Sequence, residues 1–230
     1  MQVQVRDGNQ TRGKVPRMEG FIARWYARMR SSAPQLAAYR AQAAELTKEL
    51  PNGADVLEVA PGPGHLAVEI ARLGRFRVSG VDLSRSFVEI ARAAARRAGV
   101  DVDFRHGDAS NLPFAADSFD LIICQAAFKN FSQPVVALNE MFRVLRPGGT
   151  AVIQDMRREA TDRDIDQEIR RMQLGRLNTF MTRITLRVLR RRAFSRWQFE
   201  RLAGQSAFGT CDVQADGMGI DVRLTRARTA

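Results

Sequence analysis

Apolar positions along this chain keep changing their period, and each change marks a different kind of element. Residues 1–15 show no periodicity, so a flexible segment is expected over about residues 1–16. Phe21, Ile22, Trp25 and Met29 then recur at helical spacing, predicting an amphipathic helix over residues 18–29. A second helix follows Pro34, striped by Leu36, Tyr39, Ala43, Leu46 and Leu50 and ended by Pro51-Asn52-Gly53. From Asp55 the pattern alternates between short apolar runs and helical stretches. Strands are predicted at about residues 56–59, 77–81, 100–105, 119–124 and 150–154. Helices are predicted between them at 65–72, 85–97 and 134–145, with Pro147-Gly148-Gly149 as a turn.

The last third reads differently. Residues 162–192 form a long helical stretch, expected to break in two. Ser195-Arg196-Trp197-Gln198 fits a capping box that opens a helix ending at Gly204. Two final strands, about 209–214 and 220–225, are joined so closely that they must run antiparallel. The fold class that follows is α/β: a doubly wound, Rossmann-like, seven-stranded, mostly parallel sheet with an antiparallel terminal hairpin. It is expected as one domain over residues 17–230, with a helical lid at about 17–50 and 162–192. No internal repeat stands out.

Composition narrows the picture. At 230 residues and 45% hydrophobic content, the chain can bury a sizeable core. No apolar run reaches the length of a membrane span, and the polar N-terminus does not read as a secretory signal. Two cysteines and two histidines give no disulfide framework and no metal cluster, so no metal is expected and the cytoplasm is the expected compartment. The net charge of +11 gathers in clusters at Arg28 and Arg30 and at Arg187, Arg190, Arg191 and Arg192. A solvated helix face accounts for these, while attraction to an anionic substrate, a membrane surface or RNA stays open.

The candidate chemistry begins between the first strand and its helix. Ala60-Pro61-Gly62-Pro63-Gly64 is a small-residue turn that opens a helix, the layout of a nucleotide-type site. Asp82 ends the second strand, where a carboxylate accepts from both hydroxyls of a ribose. That position suits a nicotinamide dinucleotide or S-adenosylmethionine. Glu58, inside the first strand, separates them. A buried carboxylate there suits an ammonium group and would repel a pyrophosphate. The glycine spacing is also not that of the dinucleotide fingerprint.

These motifs together resemble the class I S-adenosylmethionine-dependent methyltransferases. Glu58-Val59-Ala60-Pro61-Gly62-Pro63-Gly64 is similar to the family's first motif, with Ala60 replacing its first glycine. Asp82-Leu83, Gly107-Asp108-Ala109 with Leu112-Pro113-Phe114, Phe119-Asp120-Leu121-Ile122 and Arg143 to Gly149 resemble the later motifs, in order. Phe128-Lys129-Asn130-Phe131 resembles a short segment of the UbiE-like branch, which includes quinone and small-molecule methyltransferases.

The resemblance implies S-adenosylmethionine as cofactor. Glu58 would orient the methionine end, and Ala60, Gly62 and Gly64 would let the backbone approach. Asp82 would hold the ribose, Leu83 would pack on adenine, Asp108 and Ala109 would meet the adenine edge, and Gln125 would face the methyl region. His65 and Lys129 are the candidate catalytic groups, and Trp25, Phe128, Asn130, Met172 and Phe180 the candidate substrate contacts. Cys124-Gln125-Ala126-Ala127 after the fourth strand is not the N/D-P-P-Y/F of enzymes that methylate base amines. The expected partner is therefore a small, partly apolar methyl acceptor. Nucleic acid is the less favoured alternative, and a non-catalytic binding protein of the same fold is a third.

Overall fold

The computed structural model describes residues 18–171 and 176–228, with the backbone alone at 176–178. The expected flexible segment at residues 1–16 lies outside these. Two helices come first, α1 (Gly20–Met29) and α2 (Ala33–Thr47). The alternating part follows as β1 (Asp55–Val59), α3 (His65–Arg72), β2 (Arg77–Asp82), α4 (Arg85–Ala98), β3 (Asp103–His106), β4 (Phe119–Gln125), α5 (Pro134–Val144) and β5 (Leu145–Met156). Then come α6 (Asp162–Arg171), α7 (Arg176–Arg192), α8 (Arg196–Gln205), β6 (Asp212–Asp216) and β7 (Gly219–Thr225).

The strands form one seven-stranded sheet in the order β3-β2-β1-β4-β5-β7-β6. Pairing is parallel from β3 to β5, and β7 runs antiparallel to both β5 and β6. The order reverses between β1 and β4. The crevice outside the carboxyl ends of these strands is therefore the ligand position of an open α/β sheet.

Each face of the sheet has its own core. On one face Ala43 of α2, Leu66 and Ile70 of α3 and Ala91 and Ala95 of α4 pack against Val56, Val78 and Ile123. On the other, Leu138 and Met141 of α5 and Phe199 and Leu202 of α8 pack against Leu57, Ile122 and Ile153. The central strands are buried on both sides, which is why they read as nearly continuous apolar runs.

Several predicted boundaries move, each for a visible reason. The third strand was expected from Val100 but begins at Asp103. Gly99 at φ 67° ends α4 in a Schellman motif, in which the N–H of Val100 turns back to the carbonyl of Ala95. The expected turn at Pro147-Gly148-Gly149 is instead a kink within β5. There the N–H of Gly148 donates to Arg226, and the N–H of Arg226 donates to Gly149. The terminal hairpin turns in two residues, Gly217 and Met218, so β7 begins one residue earlier than expected and β6 is shifted, starting at Asp212 and running on to Asp216. The capping box forms as predicted, with Ser195 Oγ accepting from the N–H of Gln198 and Gln198 Oε1 from that of Ser195.

The stripe on α1 inverts the expectation. Its buried face is Ala23, with Tyr26 and Ala27 beside it, while Phe21, Ile22, Trp25 and Met29 face outward. The helix is held by its ends rather than by its apolar stripe. Glu19 accepts from the N–H groups of Arg85 and Ser86, Ser86 Oγ accepts from the N–H of Gly20, and Ser84 Oγ donates to the Met18 carbonyl. The start of α1 is thus tied to the start of α4, beside Asp82.

Candidate functional site

The carboxyl ends of β1 and β2 present two acids to one crevice. Glu58 is buried in β1, and its carboxylate accepts from the N–H of Ala67 on α3 at 2.9 Å. Burial pushes its pKa up to about 8, the Ala67 hydrogen bond opposes this, and the negative charge of Asp82 adds to the rise. Asp82 is also raised by burial, against two hydrogen bonds, from the N–H of Ser84 at 2.8 Å and of Gly62 at 2.9 Å. Among the described residues, no Lys or Arg is paired with either of these two buried acids. An ammonium would supply a cation and a pair of ribose hydroxyls further donors, so the residues present fit S-adenosylmethionine.

The glycines of the turn divide the work between them. A Cβ on Gly62 would meet nothing within 4 Å, so this is the backbone that lies open to a ligand. A Cβ on Gly64 would lie 2.7 Å from Ala91 Cβ and 2.8 Å from Phe104 Cζ. Gly64 therefore serves the close packing of α3 on α4, which differs from the ligand-approach role expected for it. Ala60, where the family carries glycine, holds φ 58°, a left-handed conformation that costs a residue with a side chain about 1–2 kcal/mol. Its N–H donates to the Val81 carbonyl at 2.8 Å, which locks the turn to β2.

The crevice beside the ends of β2 and β3 is more open. Leu83 is partly exposed, and its carbonyl sits 3.1 Å from His106 Nε2. Asp108 is exposed and closes a tight loop by accepting from the N–H of Ser110 at 2.9 Å. Ala109 packs against the core on the α5 face. Gly107 lies too close to Val81 for any side chain, with a Cβ there falling 2.8 Å from Val81 Cγ2.

Beside the ends of β4 and β5, α2 roofs the sheet edge through a chain of amides. Gln125 Nε2 donates to Gln42 Oε1 at 2.9 Å, Gln42 Nε2 to Gln154 Oε1 at 2.6 Å, and Gln154 Nε2 to Asp221 at 2.8 Å. This links β4, α2, β5 and β7 across the crevice. Arg30 donates to the Tyr39 hydroxyl at 2.7 Å, and the Tyr39 ring lies 5.6 Å from that of His65. Gln42, Gln154 and Asp221 were not singled out from sequence, and Arg30 only as a member of a basic cluster. Gln42 and Tyr39 share one face of α2, and that polar interruption of the stripe was the available signal.

The candidate catalytic groups occupy different settings. His65 is half-buried; burial holds its pKa below the usual imidazole range, and the charges of Arg30 and Arg97 add to this against a hydrogen bond to Ala27. Its Nε2 is shielded and has no partner among the described residues. Lys129 is buried, with Nζ 2.7 Å from Asp155 Oδ1 and donating also to the Ala126 carbonyl. Asp155 accepts from the N–H groups of Lys129 and Met156 as well. This neutralised pair fastens the short helix Phe128–Asn130 to β5 and leaves no free amine facing the crevice.

The expected substrate contacts are not brought together. Phe128 is a correction: it is fully buried, stacked against Phe199 at 5.4 Å and tilted against Phe131 and Phe194, so it belongs to the core. Trp25 is 53% exposed on α1 and Phe180 58% exposed on α7, neither facing the crevice-side core. Asn130 is half-buried and ends the short helix, its N–H on the Ala127 carbonyl. Met172 lies outside the described residues. Also among these, no group of His, Cys, Asp and Glu could hold a metal ion, and no helix is long and apolar enough to cross a membrane.

Strand order, the glycine turn and the two acids are those that a class I S-adenosylmethionine-dependent methyltransferase domain would use to hold its cofactor. Comparison with known proteins agrees with this: residues 57–153 match the family described as "Methyltransferase domain". A demethylmenaquinone methyltransferase of Deinococcus radiodurans is 37% identical over 115 residues, covering 50% of this chain and 47% of that protein. The ubiquinone/menaquinone biosynthesis C-methyltransferase UbiE of Bdellovibrio bacteriovorus is 36% identical over 102 residues, covering 44% and 43%. The chain thus spans about half the length of the curated relatives it matches. Among solved structures, a methyltransferase dependent on the same cofactor from Aquifex aeolicus superposes with a TM-score of 0.66 at 17% identity, covering 88% of this chain and 98% of that one. A cyclase of the 4+2 type superposes at 0.57 and 21% identity, covering 86% and 84%, so the fold alone does not fix the chemistry.

Proposed function

We propose that this chain transfers a methyl group from S-adenosylmethionine to a small, partly apolar molecule. The single observation that carries the reading is the pair of buried carboxylates, Glu58 and Asp82, at the carboxyl ends of adjacent strands beside the open backbone of Gly62. Bound there, the cofactor supplies an electrophilic methyl group. The protein's task is then to position the acceptor and exclude water. Glu58 takes the ammonium and Asp82 the ribose hydroxyls. Gly62 allows backbone approach, Leu83 covers one face of the adenine, and Asp108 and Ala109 meet its edge. Gln125 and Gln42 line the crevice near the transferred group, and α2 shields it from solvent.

The relatives' names point to an aromatic, partly apolar acceptor of the quinone kind, and the apolar helices that leave the sheet edge are compatible with one. His65, neutral at pH 7 with Nε2 unpartnered, is the imidazole available to accept a proton from such an acceptor. Lys129, neutralised by Asp155, takes a structural role.

Titration calorimetry tests the cofactor assignment. The protein is expected to bind S-adenosylmethionine saturably, and Asp82→Ala to weaken it by at least tenfold, as expected for a lost charge-assisted hydrogen-bond pair. Equal affinity in that variant would remove the assignment.

A further inference from the structure

Two helices far apart in the chain carry the same nine-residue pattern. Phe21-Ile22-Ala23-Arg24-Trp25-Tyr26-Ala27-Arg28-Met29 on α1 matches Phe180-Met181-Thr182-Arg183-Ile184-Thr185-Leu186-Arg187-Val188 on α7. In both, phenylalanine is followed by an apolar residue, and arginine by an apolar residue at the fourth and fifth and again at the eighth and ninth positions. At about 100° per residue, the apolar members fall within one arc of about 100° with the arginines along its edge.

That arc faces outward on both helices. Phe21 is 74% exposed, and Ile22, Trp25 and Met29 are exposed beside it, as are Phe180, Met181, Ile184 and Val188 on α7. The buried contacts are made by the opposite sides, α1 against α4 and α7 against α6. On α7 the arginines are anchored, Arg183 to Asp166 at 2.8 Å and Arg187 to Asp162 at 2.8 Å. On α1, Arg24 and Arg28 instead line a cleft of about 210 Å³ together with Arg97, His65, Ile90 and Ala94. Both helices join the sheet at its carboxyl edge, α1 through Ser84 and Ser86 and α6–α7 through the end of β5.

Exposed apolar arcs edged by arginine fit one occupant, an interface that is apolar inside and anionic at its surface. We propose that α1 and α7 dock this protein on an anionic lipid bilayer, with Phe21, Trp25, Phe180 and Ile184 entering the acyl boundary and the Arg24–Arg28–Arg97 cleft receiving a lipid phosphate. The net charge of +11 complements such a surface. Docking in this way turns the carboxyl edge of the sheet toward the bilayer. The proposal stands whether or not the site transfers methyl groups.

Co-sedimentation of the full chain with phosphatidylcholine vesicles, with and without about 30% phosphatidylglycerol, tests it. Binding is expected only with the anionic lipid, falling as salt rises. Arg24→Gln with Arg28→Gln should weaken it about thirtyfold, at roughly a factor of five per basic residue. Phe21→Ser with Trp25→Ser, and separately Phe180→Ser with Ile184→Ser, should each release the protein from vesicles while its thermal melt is unchanged. In a Trp197→Phe background the Trp25 emission should shift to the blue and be quenched by brominated acyl chains.

Absence of sedimentation on anionic vesicles overturns the proposal. So does equal binding to neutral ones, or an unshifted Trp25. Full displacement from vesicles by millimolar inorganic phosphate would overturn it in favour of a soluble phosphate site, and by short RNA in favour of a nucleic-acid site. A dimer in free solution that the Trp25→Ser variants dissociate would assign the face to a second copy of this chain.

Discussion

Glu58 holds a proton that the unfolded chain would release. Its pKa rises from 4.5 to about 8 on folding, chiefly through burial. The folded state therefore binds more protons than the unfolded state between these values. The stability this contributes is full below about 4.5 and is lost as pH rises through about 8. Urea unfolding followed from pH 5 to pH 8.5 should show a decline of a few kcal/mol. Glu58→Gln should flatten that decline and be the more stable form at pH 8. Cofactor affinity should run the other way: the carboxylate that meets an ammonium must be ionised, so wild-type binding should strengthen toward pH 8 with release of a proton, and the Gln variant should lose both effects. A pH-independent affinity in the wild type would contradict the assignment. The glycine turn gives a second contrast. Gly64→Ala forces a Cβ into Ala91 and Phe104 at a φ of 77° and should destabilise the fold by roughly 2–4 kcal/mol. Gly62→Ala meets no neighbour and carries only the strain of its φ of 55°, so it should cost less stability than Gly64→Ala and also fall on cofactor affinity. Ala60→Gly should raise the urea midpoint, relieving up to about 1 kcal/mol of left-handed strain after the added chain entropy.

Elements differ in how openly the sequence displays them. Strands covered on both faces, such as Phe119–Gln125, announce themselves as apolar runs, and helix ends marked by Ser84, Gly99 and Ser195 follow local chemistry. The kink at Gly148-Gly149 does not, because it depends on Arg226, a residue nearly eighty positions away that no local window contains. Nor does the outward turn of α1: periodicity finds an apolar stripe but not what the stripe faces, and hydrogen bonds at Glu19 and Ser86 decide that. The amide chain from Gln125 through Gln42 to Gln154 is equally silent, since its members come from three elements. Gln42→Leu is expected to leave the fold intact and loosen α2 over the crevice, read as faster amide exchange in Ala33–Thr47 and weaker cofactor binding. The Lys129–Asp155 pair belongs to this scale too. Asp155→Leu strands a buried ammonium and should cost about 3–5 kcal/mol, whereas joining it with Lys129→Met should recover most of the loss. Thermal or urea melts of the single and double variants read this directly.

At the scale of the molecule, sheet order and the candidate crevice at its carboxyl edge were legible because five short motifs, each weak, fall in one order along the chain. Glu58, Asp82 and Asp108 sit on or just beyond strand ends, so sequence position nearly fixes their place in space. The acceptor side was not legible. Its expected members, Trp25, Phe128, Asn130 and Phe180, come from helices whose orientation is set by tertiary contacts, and the structure disperses them. What unites the molecule is the carboxyl edge of the sheet, where the buried acids, the amide roof and the two outward-facing helices converge. The most direct measurement of the central claim follows radiolabelled methyl from S-adenosylmethionine into fractionated cell extract, with the product identified by mass, for the wild type and for Asp82→Ala. The account predicts label in one small, apolar-extractable product with the wild type and its loss with Asp82→Ala. Tight cofactor binding with no label transferred to any fraction, or equal transfer by the variant, would contradict it.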